Sequence, residues 1–103
     1  NINLDDNFIL NTGNTLDNTA AELINPFNDL SLKLWTDQPG IQVYNASKLD
    51  LDQSGLNNNH YRNFSGICLE AQKFPDSVNH PYFPSIISSP EKPYFHKTEI
   101  EIS

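Results

Sequence analysis

Leu30-Ser31-Leu32-Lys33-Leu34-Trp35 decides the fold class: apolar and polar residues alternate without a break, placing three leucines on one face of an extended chain. Working outward, Asn25-Pro26-Phe27-Asn28-Asp29 before it is a good hairpin loop, leading back to a strand near Ala20 to Ile24. On the other side Asp37-Gln38-Pro39-Gly40 is a turn, and Ile41-Gln42-Val43-Tyr44 the strand it starts. Asn7 to Asn11 is a short apolar run closed by the turn signal Thr12-Gly13-Asn14. Ile67-Cys68-Leu69-Glu70-Ala71 returns to strand, and Thr98-Glu99-Ile100-Glu101-Ile102 reads as a half-buried antiparallel one. Between them, Leu51 to Asn63 is a polar, Asn-rich surface loop. Phe74 to Pro90 carries four prolines and should wander without ladder hydrogen bonds. No stretch shows a helical stripe and no repeat is present. The pattern predicts an all-β chain of about six strands.

The 103 residues allow one domain at most. Leu, Ile, Val and Phe together number 28, enough to expect a fold. A chain this short nevertheless buries only roughly 60–70% of the surface it exposes when unfolded, so its core is thin. Six basic residues against thirteen acidic ones give a net charge of −7. Nucleic acid demands clustered Lys and Arg to displace counterions, and none cluster here. The same sign disfavours an anionic membrane surface, no apolar run approaches the ~18 residues of a spanning helix, and the start does not read as a signal peptide. The single cysteine, Cys68, can form neither an internal disulfide nor a zinc site alone, which leans toward a reducing, cytoplasmic setting. Two glycosylation sequons, at Asn45 and Asn63, are no more than 14 Asn and 14 Ser plus Thr give by chance. There is no methionine and residue 1 is Asn, so the chain reads as a piece of something longer.

Asp50-Leu51-Asp52-Gln53-Ser54-Gly55 opens with the rhythm of an EF-hand loop, but Tyr61 stands where a bidentate Glu is required, so a solvated loop is expected. His60, His80 and His96 have no metal spacing and are expected at the surface. Glu70 stands apart because every neighbour is apolar. Alternation puts it on the face of Cys68, opposite Ile67 and Leu69. With both faces covered, its carboxylate would be desolvated and suited to act as a general base. On an edge strand it would simply face water.

At this segment the chain resembles a known family. Gly66-Ile67-Cys68-Leu69-Glu70-Ala71-Gln72-Lys73-Phe74-Pro75-Asp76-Ser77-Val78-Asn79-His80-Pro81 is similar to the signature near the end of aldose 1-epimerases. Thr36-Asp37-Gln38-Pro39-Gly40-Ile41-Gln42-Val43-Tyr44 and Leu4-Asp5-Asp6-Asn7-Phe8-Ile9-Leu10 resemble two further blocks in the same order, with Asp6 where the family usually has His. The resemblance implies that residues 1–103 form the C-terminal segment of an antiparallel β-supersandwich, galactose mutarotase-like, whose concave face holds a sugar. It implies interconversion of the α and β anomers of a free aldohexose, with no cofactor and no metal. By the same resemblance Glu70 is the base, Asp5 binds sugar hydroxyls, and Gln38 aligns with a polar residue that lines the pocket in part of the family; read from the residues alone, Asp5 could be a turn or strand-start residue and Gln38, beside Pro39-Gly40, turn structure. Trp35, Tyr44 and Phe74 could stack on the sugar or merely pack. The acid is a histidine in the family's upstream portion, matched by none of the histidines here, so the expected partner is that portion, in the same or a separate chain. The alternative is a non-catalytic carbohydrate-binding or interaction module on the same scaffold.

Overall fold

The alternating segment Ser31–Thr36 (β3) is the middle strand of a three-stranded antiparallel sheet, between Ala21–Ile24 (β2) and Thr98–Ile102 (β6). The structure, a computed structural model, describes residues 2–103. Register puts Leu23, Leu32 and Ile102 in one cross-strand row and Ala21, Leu34 and Ile100 in the next. The opposite face carries Glu22, Lys33 and Glu101 in register, with Lys33 Nζ 3.7 Å from Glu22. One face is therefore apolar and the other charged, as strict alternation demands.

A second three-stranded antiparallel sheet is built from Asp5–Ile9 (β1), Gly40–Tyr44 (β4) and Cys68–Gln72 (β5), in the order β1-β4-β5. β3 and β4 are consecutive, yet they do not pair: Asp37-Gln38-Pro39 carries the chain from the middle of one sheet to the middle of the other. The corner is held from outside. The Asp37 N–H donates to the Lys97 carbonyl at 3.1 Å, the Lys97 N–H donates to the Asp37 carboxylate at 3.0 Å, and the Thr36 hydroxyl donates to the Lys97 carbonyl at 3.1 Å. The six strands match the expected ones, but β1 begins and ends two residues earlier than the apolar run Asn7 to Asn11. Leu10 already donates its N–H to the carbonyl of Pro39, before β4 starts, so the ladder ends there.

The Asn-rich loop has more local order than its polarity suggests. A 3-10 turn spans Leu56–Asn58, and Ser54 bridges to His60. Asn57 and Asn58 are left-handed, a conformation Asn tolerates better than most residues. Gly55, the residue that gave the segment its calcium-loop rhythm, has a different purpose: a Cβ there would run into the Tyr61 ring. The proline-rich stretch forms no strand, only a 3-10 turn at Ser77–Asn79, and its Phe74 and Phe83 rings meet edge-on at 5.2 Å.

The core is small. Leu34 and Ile41 are the large apolar residues that are fully buried, one on each central strand. Ile100 and Ile102, inward by pattern, remain 60% and 67% exposed. The radius of gyration is 16.4 Å, against about 13 Å for a compact domain of this length.

Candidate functional site

On the β1-β4-β5 sheet, alternation again separates two faces. Phe8, Ile41 and Ala71 share one register row, with Val43 and Leu69 in the next row on the same side. Of these, Phe8, Ile41 and Val43 line a hollow of about 510 Å³ together with Leu4, Leu10 and Ala21, among others. The other side is polar. Asp5, Tyr44 and Cys68 form one row, Asn7, Gln42 and Glu70 the next, and Ile9, Gly40 and Gln72 the third.

Asp5 and Glu70 therefore stand on one face, on the two outer strands. On standard strand spacings their Cα atoms lie about 12 Å apart, two strands across and two residues along. Gln42 lies between them and donates from Nε2 to the Asp5 Oδ1 at 2.9 Å. That bond orients the aspartate and leaves its second oxygen free to accept a hydroxyl.

Glu70 is exposed, not covered on both faces. The reason lies in topology: β5 is the edge of its sheet, with β4 as its partner among the described residues. Four hollows on the apolar faces and around the loops are lined by other residues than Glu70. The desolvation that two covered faces would bring is therefore absent from residues 2–103.

Of the two readings of Gln38, the described residues show it in the turn between the sheets and in no row of the Asp5–Glu70 face. It is 2% exposed, and its amide donates to the Asp37 carboxylate at 2.7 Å and to the Phe95 carbonyl at 3.4 Å. Its Oε1 has no partner among the described residues. It belongs to the corner between the sheets, whereas the glutamine beside Asp5 and Glu70 is Gln42. The signal for Gln42 was present in the sequence: Gly40, Gln42 and Tyr44 share the parity that faces away from Ile41 and Val43. Tyr44 stands on the polar face, Phe74 rests against Gly40 at its border, and Trp35 lies in the other sheet opposite Glu99.

The histidines lie elsewhere. His80 Nε2 is 3.2 Å from the Asp76 carboxylate and its Nδ1 3.1 Å from the Tyr82 hydroxyl. His96 lies between Tyr94 and Thr98 at 2.9 and 3.0 Å, and His60 bridges to Ser54. None stands in a row of the Asp5–Glu70 face. Among the described residues no three His, Cys, Asp or Glu side chains gather as a metal would require. Two carboxyls, Asp37 and Glu91, are held below the usual range, and Asp37 is the one at the corner between the sheets. Burial pushes it up, but the Lys97 N–H, the Gln38 amide and nearby His96 outweigh that and hold it below the usual range.

Comparison with known proteins places this arrangement in context. The sequence profile of aldose 1-epimerases matches residues 1–101. Over 72 residues, 70% of this chain, the chain is 43% identical to galactose mutarotase of Mus musculus and 42% identical to that of Homo sapiens. It is 44% identical over 59 residues, 57% of this chain, to an aldose 1-epimerase of Haemophilus influenzae, of which that stretch is 17%. The match covers 21% of the two mammalian proteins, so the chain spans about a fifth of the length of these relatives.

Proposed function

The chain belongs to the aldose 1-epimerase family, and from that premise we propose that it is the base-bearing part of an enzyme interconverting the α and β anomers of a free aldohexose of galactose or glucose type. The observation that carries the proposal is the face on which Asp5, Gln42 and Glu70 stand together while Phe8, Ile41, Val43, Leu69 and Ala71 turn the other way. Glu70 takes the proton from the C1 hydroxyl, an acid protonates the ring oxygen, and the bond between C1 and that oxygen breaks to leave the open-chain aldehyde. Rotation about C1–C2 presents the other aldehyde face. Closure then returns both protons, so the reaction is neutral in protons and electrons.

Asp5, steadied by Gln42, holds sugar hydroxyls through its free oxygen. The proton for the ring oxygen comes from a histidine of the protein outside these residues. That portion also supplies the far wall of the site, which would remove water from Glu70 and make it a better base. A second reading, a carbohydrate-binding module without turnover, draws support from the exposure of Glu70 and the lack of a histidine on its face among the described residues.

Polarimetry on α-D-galactose with the full-length protein separates the two. Turnover above the buffer rate, with kcat lowered about 10²–10⁴-fold in Glu70→Gln, is expected of the enzyme. Sugar binding without acceleration, or a Glu70→Gln variant at the wild-type rate, would sink that reading.

A further inference from the structure

We propose that Asn7 and Gln72 are positioning residues: their side chains close a clasp over Gly40 that holds edge strand β5, and with it Glu70, in place relative to Asp5. The inference rests on the reading of Glu70 and Asp5 given above.

The clasp is visible in the register. Asn7 is on β1 in the row of Gln42 and Glu70, and Gln72 is on β5 in the row of Gly40 and Ile9. Between them runs β4, and any side chain at position 40 would stand in the way. Gly40 has none, so Gln72 Nε2 reaches across the middle strand to Asn7 Oδ1 at 3.1 Å. The gap is fully used: a Cβ on Gly40 would meet Asn7 Oδ1 at 2.8 Å and the Phe74 ring at 3.0 Å. Gly40 is not in the left-handed region, so its role is the close approach of these groups, not backbone freedom.

Position and burial give the clasp its consequence. β5 has a ladder to β4 and no strand beyond it among the described residues, so its lateral position relative to β1 depends on a twist shared by three strands. The bond from Asn7 to Gln72 ties the two outer strands directly. Each partner stands one pleat, about 7 Å, from the carboxylate it serves: Asn7 from Asp5, Gln72 from Glu70. Asn7 and Gln72 are half-buried, whereas Asp5 and Glu70 are exposed, so the clasp competes less with water than the groups it positions. Phe74, braced edge-on by Phe83, closes over the Gly40 end.

The test is kcat and KM by polarimetry on α-D-galactose, in the full-length protein, for Asn7→Ala, Gln72→Ala, their double variant and Gly40→Ala. Circular dichroism and Tm certify folding. Misplacing a catalytic group by an ångström can cost up to about 10²-fold. We expect each single variant to lose about tenfold or more in kcat with KM within about twofold, and the double to be no worse than either single. Gly40→Ala, which wedges the clasp open without removing a partner, should reproduce the loss. Folded variants with wild-type kcat, or losses that multiply in the double, would overturn the clasp. Should Asn7→Ala fail to fold, Gln72→Ala and Gly40→Ala decide the matter by the same criteria. A Glu70→Gln variant at the wild-type rate brings down the reading of Glu70 and the clasp with it; an inactive Glu70→Gln beside fully active clasp variants brings down the clasp alone.

Discussion

At the scale of single residues, neighbouring polar side chains of similar chemistry do different things because they face different ways. Gln38 and Gln42 are four positions apart, yet one is sealed in a corner and the other lies between two carboxylates. Asp37 shows what the corner does to a charge. Its folded-state value lies below the ordinary carboxyl value near 3.9 because the Lys97 N–H, the Gln38 amide and His96 all favour the ionised form. The unfolded chain therefore binds the proton more readily, and Asp37 stabilises the fold above pH 4, an effect lost as pH falls through the lower folded value. In the full-length protein, Asp37→Asn should lower Tm at pH 6–7, and the gap to wild type should close as the pH drops below about 4. A gap that stayed constant down to pH 3 would show that the charge is not what matters.

At the scale of elements, β3 is the one whose loss would be felt most. It pairs on both sides, and Leu34 at its centre is 2% exposed. Leu34→Ala should cost about 2–5 kcal/mol, read as the shift in urea-unfolding free energy of the full-length protein. Ile102, 67% exposed on β6, has little contact to lose among the described residues. The same contrast applies in the other sheet. β4 is paired on both sides, while β5 is an edge, and on the function proposed above an edge strand that carries the base needs a tie. The clasp over Gly40 supplies one, from two amides and an absent side chain.

At the scale of the whole molecule, the two sheets share no strand and each leaves apolar residues uncovered, Phe8, Ile24, Ile100 and Ile102 among them. Leu34, Ile41 and Ala46 are the buried apolar residues, too few to offset the ordering of a hundred backbone positions. The isolated 103-residue chain should therefore melt without a sharp cooperative transition and bind an apolar dye such as ANS. A single sharp calorimetric transition would contradict this and mean that the chain is a self-sufficient unit.

The sequence by itself determined the six strands, because side-chain alternation is a local property, written in residues two apart. It also determined the meandering proline-rich stretch, where rings replace N–H donors, and the pairing of β2 with β3 through a tight loop. From the motif around Cys68 to Pro81 it carried the family as well. Only the tertiary structure decided that β4 abandons β3 for β1 and β5, and that β3 instead finds β6 more than sixty residues later. Such pairings are set by register between distant segments, which no window of neighbouring residues contains. On that register depended the rest: that Gln42 and not Gln38 stands beside Asp5, that Glu70 lies at an edge and in the open, and that Gly40 leaves the gap through which Asn7 and Gln72 meet.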